Sequence, residues 1–467
     1  MNTSHVKHRR RHGVTAAFAA LGVTAALALA GCGGSSSSGT SASPLGPDRW
    51  MEDVYSAAPN TPLGQAVLPG THDSGSYGID VDAPCELIPA TGTAGVINTL
   101  AERNPCAAAD MYRAQNTDIG QQLAAGIRYL DLRVSVPKAG AVPTGTSASP
   151  TASGSAPATA SPSSSPSAEP TPSPAGLQTN FVLEHQFVST PLTSALDQIL
   201  SFATSHPREQ VILDFQHIDL GDLPDKSAYY AALGQLLSDY TGSGKQSVCA
   251  QAWSSDVVKA TPQTLSGITF ETAWKAKRNL VVLVPDGTLA ANSCYYPREQ
   301  AILSQWPNTE DPAKSVQANA DELTERAERL AANPQQCSNN GEDSGQGDNW
   351  CGFFVNQMQL TFQPVTFAGC IVDTTPECSL LAYSQKVNNQ VGPQVQAWAV
   401  QQRMPVNIVL VDFFEKSDPL YTQSLIDTNR QLIAARSASP NVSGSAASTL
   451  PSPSAAGGGS PSPSASG

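Results

Sequence analysis

The feature that most constrains the fold is a series of short, continuous apolar runs separated by longer amphipathic or polar stretches. The runs are rich in Val, Ile and Leu and do not alternate with polar residues, which is typical of strands buried on both faces of a parallel sheet. Seven runs are predicted as strands, at 65–69, 127–135, 180–185, 210–215, 279–284, 353–359 and 406–414. Helices are predicted at 190–206 and 424–437.

This alternation of strands and helices predicts an α/β protein with a single, distorted β/α barrel of the TIM type. A doubly wound parallel sheet is the alternative architecture. However, no glycine-rich phosphate-binding motif follows the first predicted strand, as it does in many proteins with that sheet. We therefore expect the barrel.

Two stretches lack the apolar side chains that a packed core requires. Residues 138–178 and the tail 438–467 consist mostly of Pro, Ser, Ala, Thr and Gly, so we predict that both are disordered. Motifs on either side of 138–178 belong together, and we interpret that stretch as a surface insertion within one domain at 45–437.

The N-terminus predicts export. A basic stretch, KHRRRH, precedes the apolar run VTAAFAALGVTAALALA, which ends in Leu29-Ala30-Gly31-Cys32. This ending resembles the lipobox of bacterial lipoproteins, so residues 1–31 are predicted as a lipoprotein signal peptide, Cys32 as the lipidated residue and 32–44 as a flexible linker. The expected location is the cell surface, anchored to the bacterial membrane. An ordinary cleaved secretory signal is the alternative.

Eight cysteines remain when Cys32 is set aside, and in an exported protein they suggest up to four disulfides. The short loops between neighbouring cysteines suggest the pairs Cys85–Cys106, Cys249–Cys294, Cys337–Cys351 and Cys370–Cys378. A zinc site is the alternative, but the cysteines and histidines lack the spacing of zinc ligands. We therefore predict no structural metal.

The charge balance excludes two classes of partner. The chain carries 26 Lys+Arg against 39 Asp+Glu, a formal net charge of −13. A general nucleic-acid binder needs a basic surface that neutralises phosphates, and strong electrostatic adhesion to an anionic bilayer needs the same. Neither is expected here.

Polar residues that can perform acid–base chemistry cluster at the ends of the predicted strands. His72 lies in LPGTHDSGSYG after the first strand, Asp131 and Arg133 end the second in RYLDLRV, His185 ends the third in LEHQF, and Asp412 ends the last in VLVDFFEK. In a β/α barrel the carboxyl ends of the strands meet at one mouth, where active sites are built. The sequence therefore predicts a catalytic site at that mouth.

These motifs resemble the X domain of bacterial phosphatidylinositol-specific phospholipases C. The resemblance rests on LPGTHDSGSYG, GIRYLDLRV, LEHQF and VLVDFFEK, together with DRWMEDV near the start of the domain. It covers about 45–137 and 179–437, essentially the whole stretch expected to fold.

The resemblance implies an enzyme that cleaves phosphatidylinositol into diacylglycerol and inositol 1,2-cyclic phosphate. His72 would deprotonate the inositol 2-hydroxyl, and Asp412 would orient His72. His185 would protonate the departing oxygen, and Arg133 would bind the phosphate oxygens. Asp73 and Asp131 would orient these groups or share a proton.

Asp131, Gln216 and His217 are the remaining residues that we place at the site, as substrate-binding groups. Relatives bind inositol with basic and aromatic groups on later strands, whereas no matching Lys or Arg is evident here. At Gln186 the chain also departs from the Gly that often follows this histidine in relatives. The pairing of Asp73 with Arg133 resembles the metal-independent branch of the family, so we expect no cofactor, no metal and a monomer.

Two other functions remain open. One is a different phosphodiesterase on the same barrel, such as a glycerophosphodiester type, which would require metal-binding carboxylates and a different first motif. The other is a surface binding module on a catalytically degenerate domain. Loss of either histidine would favour the module, and both are present in the sequence.

Overall fold

The computed structural model describes residues 45–82, 85–88, 99–137, 180–221, 223, 225–242, 246–285, 287–289, 292–332, 350–373, 375–418 and 420–438. The predicted signal peptide, Cys32, the linker, the insertion at 138–178 and the tail from 439 onward lie outside these residues. None of the helices in the described ranges is both long and apolar enough to cross a membrane.

Ten strands in the described ranges form one mixed sheet. They are β1 Leu68–Thr71, β2 Tyr129–Ser135, β3 Val182–Glu184, β4 Val188–Pro191, β5 Val211–Asp219, β6 Leu280–Val284, β7 Tyr296–Pro297, β8 Ile302–Gln305, β9 Phe353–Gln357 and β10 Ile408–Val411. Eight of them follow one another in the order β7-β6-β5-β2-β1-β10-β9-β8, and every neighbouring pair along this path is parallel.

The helices of the described ranges alternate with these strands. They are α1 Trp50–Tyr55, α2 Pro105–Ala109, α3 Ile119–Ala124, α4 Leu192–Ser205, α5 Lys226–Asp239, α6 Val248–Gln251, α7 Ser255–Val258, α8 Phe270–Ala276, α9 Arg298–Ala301, α10 Pro312–Ala332, α11 Pro364–Val372, α12 Leu380–Gln396 and α13 Tyr421–Ser437. The two edge strands β7 and β8 are joined only by the four-residue α9. The fold is therefore a curled parallel sheet, a distorted barrel of the predicted TIM type.

Both faces of the parallel sheet are buried, as the continuous apolar runs predict. Successive residues of a strand belong to different clusters: Leu130 packs in the cluster that includes α4 and α12, whereas Tyr129 packs in the cluster that includes α1. Both side chains are fully buried.

The amino ends of the strands are closed by the N-terminal segment. Arg128, just before β2, donates to Glu209 Oε2 from Nε at 2.9 Å and from Nη2 at 2.7 Å, and both side chains are buried. Glu209 also accepts from the backbone N–H groups of Met51 and Glu52 in the first turn of α1. This buried charge pair, with its additional hydrogen bonds, fixes α1 against the amino ends of the strands.

The structure corrects three details of the predicted strands. β1 begins at Leu68 and not at 65, because Leu63–Gln65 form a 3₁₀ turn after Pro62. β3 is antiparallel to β2 and β4, since no crossover helix separates β2 from β3 among the described residues. The strands β4, β7 and β8 were not predicted from the sequence.

Three of the predicted disulfides are confirmed, Cys85–Cys106, Cys249–Cys294 and Cys370–Cys378. Cys337 lies outside the described residues, so its pairing with Cys351 stays a prediction. The first and third disulfides belong to one apolar cluster that joins α2 to α11 beside the carboxyl ends of the strands.

Candidate active site

The sheet register brings His72 and Asp412 together. β1 and β10 are parallel neighbours in which Thr71 pairs with Val411, so the next residue of each strand lies side by side. The backbone N–H of His72 donates to Val411 O at 3.0 Å. The His72 Nδ1 donates to Asp412 Oδ1 at 2.7 Å, as expected for a carboxylate that orients an imidazole.

Positive φ angles occur directly after three of the predicted catalytic residues. Asp73, Gln186 and Phe413 have φ values of 42°, 59° and 42°, and each follows a histidine or an aspartate at the end of a strand. Non-glycine residues rarely adopt this conformation, and such strain concentrates at functional sites. At Gln186 the positive φ accounts for the glycine that relatives often carry, since glycine adopts this φ without strain.

Asp73 lies at the centre of the cluster. Its Oδ2 is 2.9 Å from His72 Nε2 and 2.9 Å from His185 Nε2, while its Oδ1 is 2.5 Å from Arg133 Nε. The carboxylate is 1% exposed, so these contacts are shielded from solvent. One oxygen position is thus shared by both imidazoles.

His185 is oriented from its other side. Its Nδ1 lies 2.5 Å from the carbonyl oxygen of Tyr112, and since a carbonyl can only accept, Nδ1 carries the hydrogen. The Tyr112 ring also packs edge-on against the His185 ring. Nε2 is therefore the nitrogen that can exchange a proton at the site.

The charges at this cluster shift the pKa values of its members strongly. Burial alone would lower the pKa of His72, but the carboxylates of Asp73 and Asp412 raise it to about 10. Burial would raise the pKa of Asp73, but Arg133 and the two histidines hold it well below its usual value. Asp73 is therefore ionised in the free protein.

Beside the cluster, burial raises the pKa of Glu184 to about 7 although Arg133 opposes the shift. Burial and the charge of Arg133 lower the pKa of His217. Perturbed values concentrated on one group of residues are characteristic of active sites.

Asp131 does not take the predicted position. It is fully buried beneath the site, where its Oδ2 accepts from the backbone N–H of Asp73 at 3.2 Å and lies 3.5 Å from Arg133 Nη2. Its side chain lies on the same face of β2 as those of Tyr129 and Arg133, which are two residues before and two residues after it. Asp131 is therefore not placed to contact substrate, but it lies where it can orient Asp73 and Arg133, the other role that the resemblance implies.

A bulge in β5 brings Gln216 and His217 to the same cavity. Leu132 pairs with Phe215 but Arg133 pairs with His217, so Gln216 is the extra residue of the strand. A bulge of this kind redirects the following side chain, which would otherwise face away. Both side chains line the cavity, and their contact with the substrate stays a prediction.

The cavity at the carboxyl ends of the strands has a volume of about 850 Å³ and contains His72, Arg133 and His185 in its wall. Its wall also contains Arg298, which sequence reasoning missed. The Arg298 Nε donates to Asp214 Oδ1 at 2.8 Å, and Asp214 is fully buried. The two-residue strand β7 before Arg298 is too short to give any periodic signal, so only its Tyr-Pro-Arg sequence could have indicated it.

The cluster includes atoms that could ligate a metal ion. One atom from each of His72, Asp73 and His185 lies within 4.8 Å of the other two. However, Arg133 Nη2 is 3.1 Å from His72 Nε2, so a permanent positive charge competes for the same atoms. The donor set therefore fits an anion bound to Arg133 better than a cation.

Comparison with known proteins gives distant relatives. No protein-family model matches the chain. The PI-PLC X domain-containing protein 3 of Bos taurus is 21% identical over 379 residues, which are 80% of this chain and 91% of the relative. The variant-surface-glycoprotein phospholipase C of Trypanosoma cruzi is 25% identical over 287 residues, 58% of this chain and 59% of the relative.

Among solved structures, the phosphatidylinositol-specific phospholipase C from Listeria monocytogenes is 16% identical, with a TM-score of 0.46 over 82% of this chain and 99% of that chain. The sequence relatives include eukaryotic proteins, so the bacterial branch suggested by the motifs is not established by them. The chain is similar to PI-PLC X domain-containing proteins, and this supports a relationship to the PLC-like phosphodiesterases.

Proposed function

We propose that this chain is a phosphatidylinositol-specific phospholipase C, a phosphoric diester lyase that needs no metal. The observation that carries the proposal is the single oxygen position 2.9 Å from the Nε2 atoms of both His72 and His185, where Asp73 Oδ2 lies in this structure. A phosphodiester needs a base on one side and an acid on the other, and two imidazoles facing one oxygen position supply both.

In the proposed first step His72 Nε2 takes the proton of the inositol 2-hydroxyl, and the oxygen attacks phosphorus. The bond between phosphorus and the glycerol oxygen breaks, and His185 Nε2 gives its proton to that oxygen. Asp412 stabilises the imidazolium that forms on His72, through the contact at 2.7 Å. The products are diacylglycerol and inositol 1,2-cyclic phosphate.

Asp73 and Arg133 are the charged groups that face the reacting atoms in this step. The Oδ2 of the ionised Asp73 lies 2.9 Å from His185 Nε2, the nitrogen that gives up the proton in the proposed step. Arg133 lines the cavity with a guanidinium that can stabilise negative charge on the phosphoryl oxygens. Entry of the phosphate requires Asp73 to give up the shared position next to His72.

We further propose that the protein is exported and anchored to the bacterial membrane through a lipid on Cys32, acting as a monomer. The support is the sequence Leu29-Ala30-Gly31-Cys32 after an apolar run, and the small, polar sequence GGSSSSGTSAS behind it. The variant Cys32→Ser should appear in the soluble fraction or remain unprocessed. Unchanged membrane association of this variant would contradict the anchor.

The function is tested by incubating the mature wild-type protein with vesicles of phosphatidylinositol and, separately, of phosphatidylmethanol. We expect release of diacylglycerol from phosphatidylinositol only, because the methyl headgroup of phosphatidylmethanol carries no hydroxyl that could attack phosphorus. His72→Ala is the matched control and should release none. Equal release from both lipids would instead favour a phosphodiesterase that uses water, and binding without any release would favour a binding module.

A further inference from the structure

A chain of neutral hydrogen-bonding side chains lies in the cavity wall away from the histidines. Ser304 belongs to β8, Gln357 ends β9, and Gln359 follows two residues later. All three line the cavity that also contains His72 and Arg133. The proposed chemistry uses none of them.

The hydrogen bonds of this chain run in one direction. The Gln359 Nε2 donates to Gln357 Oε1 at 2.6 Å, and the Gln357 Nε2 donates to Ser304 Oγ at 2.8 Å. The backbone carbonyl of Gln357 accepts from Asn319 Nδ2 at 2.9 Å, which fixes the end of β9. Each amide is therefore held in place by its neighbour.

One acceptor remains at the end of this chain. Gln359 is only 3% exposed, and its Oε1 is buried and accepts no hydrogen bond among the described residues. A buried polar atom without a partner costs about 1–3 kcal/mol, so such an atom in a cavity wall marks the position of a ligand's donor group. A hydroxyl is the neutral group that can donate there.

The charges of the cavity agree with a neutral headgroup. Arg298 is paired with Asp214, and Arg133 is paired with Asp73. The charge of each arginine is therefore compensated, and neither is left to bind a second phosphate on the headgroup. A carbonyl oxygen also repels the oxygens of a phosphate monoester, which carries a charge of about −1.5 to −2 at pH 7. The same atom accepts readily from an O–H group.

We propose that Gln359, supported by Gln357 and Ser304, binds a free hydroxyl of an unphosphorylated polyol headgroup. This inference rests on the proposed function and names the part of the substrate that the wall recognises. It adds a specificity-determining residue that the sequence motifs do not include.

The test uses analogues of phosphatidylinositol that each lack one ring hydroxyl, always one other than the attacking 2-hydroxyl. Each analogue is given to the wild-type protein and to the variant Gln359→Met. The wild-type protein should lose about 10–100-fold in kcat/KM on one of these deoxy analogues, the equivalent of one hydrogen bond in a buried site. Gln359→Met should lose a similar factor on phosphatidylinositol itself and should no longer discriminate against that analogue. Gln390→Met, the same substitution on the exposed face of α12, is the control and should behave like the wild type.

The possible failures are distinguishable. If the wild type cleaves phosphatidylinositol but Gln359→Met discriminates as the wild type does, the inference is wrong and the proposed function stands. If the wild type cleaves no phosphatidylinositol, binding of myo-inositol is measured by saturation-transfer NMR. Loss of binding in Gln359→Met supports the inference, and an equal signal in both proteins, or no signal in either, overturns it.

Folding of the variant is checked by thermal melting. Gln359→Glu serves as a second variant, because it keeps an acceptor oxygen at the same position. We expect Gln359→Glu to retain discrimination against the deoxy analogue that Gln359→Met has lost. The two variants could instead lose discrimination equally while both melt like the wild type. That result would show that an acceptor oxygen at this position does not recognise the headgroup, and it would overturn the inference.

Discussion

At the scale of single residues, the two histidines of the site differ in their second partner. Both contact Asp73, but His72 also contacts the carboxylate of Asp412, whereas His185 contacts the carbonyl of Tyr112. The first arrangement favours a base whose cation is stabilised, and the second favours an acid that exchanges its proton through Nε2. The two imidazoles therefore have different partners and, in our proposal, different roles.

The variants His72→Ala and His185→Ala should each lower turnover of phosphatidylinositol by at least about 10²-fold, the low end for positioned acid–base groups. They should differ on a substrate with a nitrophenol leaving group, which departs without protonation. His185→Ala should recover on that substrate and His72→Ala should not. Equal losses on both substrates would overturn the assigned roles.

The dependence of kcat/KM on pH should show the effect of the two carboxylates, Asp73 and Asp412, on the pKa of His72. Because Asp73 and Asp412 raise the pKa of His72 to about 10, the neutral base becomes populated as the pH rises, and kcat/KM should rise with it. Asp412→Asn removes one stabilising charge from the imidazolium, so the acidic limb should move to lower pH while the maximal rate falls. A limb that stays in place, or moves to higher pH, would contradict this assignment.

Catalysis should require Arg133 but no metal ion. We expect activity to survive excess EDTA, whereas Arg133→Ala should lose several orders of magnitude through loss of charge at the phosphoryl group. Arg133→Lys should restore only part of the activity, because an ammonium cannot reproduce the two-pronged contact of a guanidinium. Loss of wild-type activity with EDTA, restored by calcium, would refute this prediction.

At this scale the motifs predicted much of the site. His72, His185 and Arg133 lie together in the structure because each ends or follows a strand of the same sheet edge. Tyr112 and Arg298 were not predicted, since one acts through its backbone carbonyl and the other follows a strand of two residues. Neither leaves a pattern that periodicity can detect.

At the scale of secondary-structure elements, the direction of β3 relative to β2 is visible in the structure but not in the sequence. The apolar runs predicted both strands but not their relative direction. In the structure Ser135 pairs with Val182 in an antiparallel ladder, so the chain leaves and returns at neighbouring positions. Continuous apolar composition alone cannot report this, because a buried antiparallel strand has the same pattern.

Deletion of 140–176 should therefore leave fold and turnover nearly intact. The two ends of the deleted stretch return to paired strands, and shortening the loop about fivefold changes its closure entropy by only about 1.4 kcal/mol, in favour of the shorter loop. Thermal melting and turnover of the deletion variant are compared with those of a variant that carries a Gly/Ser stretch of equal length. A melting temperature lower by many degrees in both variants would show that this stretch packs against the domain.

At the scale of the whole molecule, the barrel has one closed and one open end. The buried pair of Arg128 and Glu209 holds α1 across the amino ends of the strands. The carboxyl ends surround the cavity of about 850 Å³ with its histidines and arginines. The alternation of strands and helices predicted that the site lies at the carboxyl ends of the strands. It did not predict the edge strands β7 and β8, which α9 connects, because both strands are too short to give a sequence pattern.

The most direct test of the central claim is phosphorus NMR of phosphatidylinositol vesicles during turnover by the mature wild-type protein. Attack by the internal 2-hydroxyl predicts that a cyclic phosphodiester resonance appears first and that any inositol monophosphate follows it. His72→Ala should produce neither resonance. A monophosphate that forms without a cyclic precursor would show that water attacks phosphorus, and would contradict the proposed mechanism.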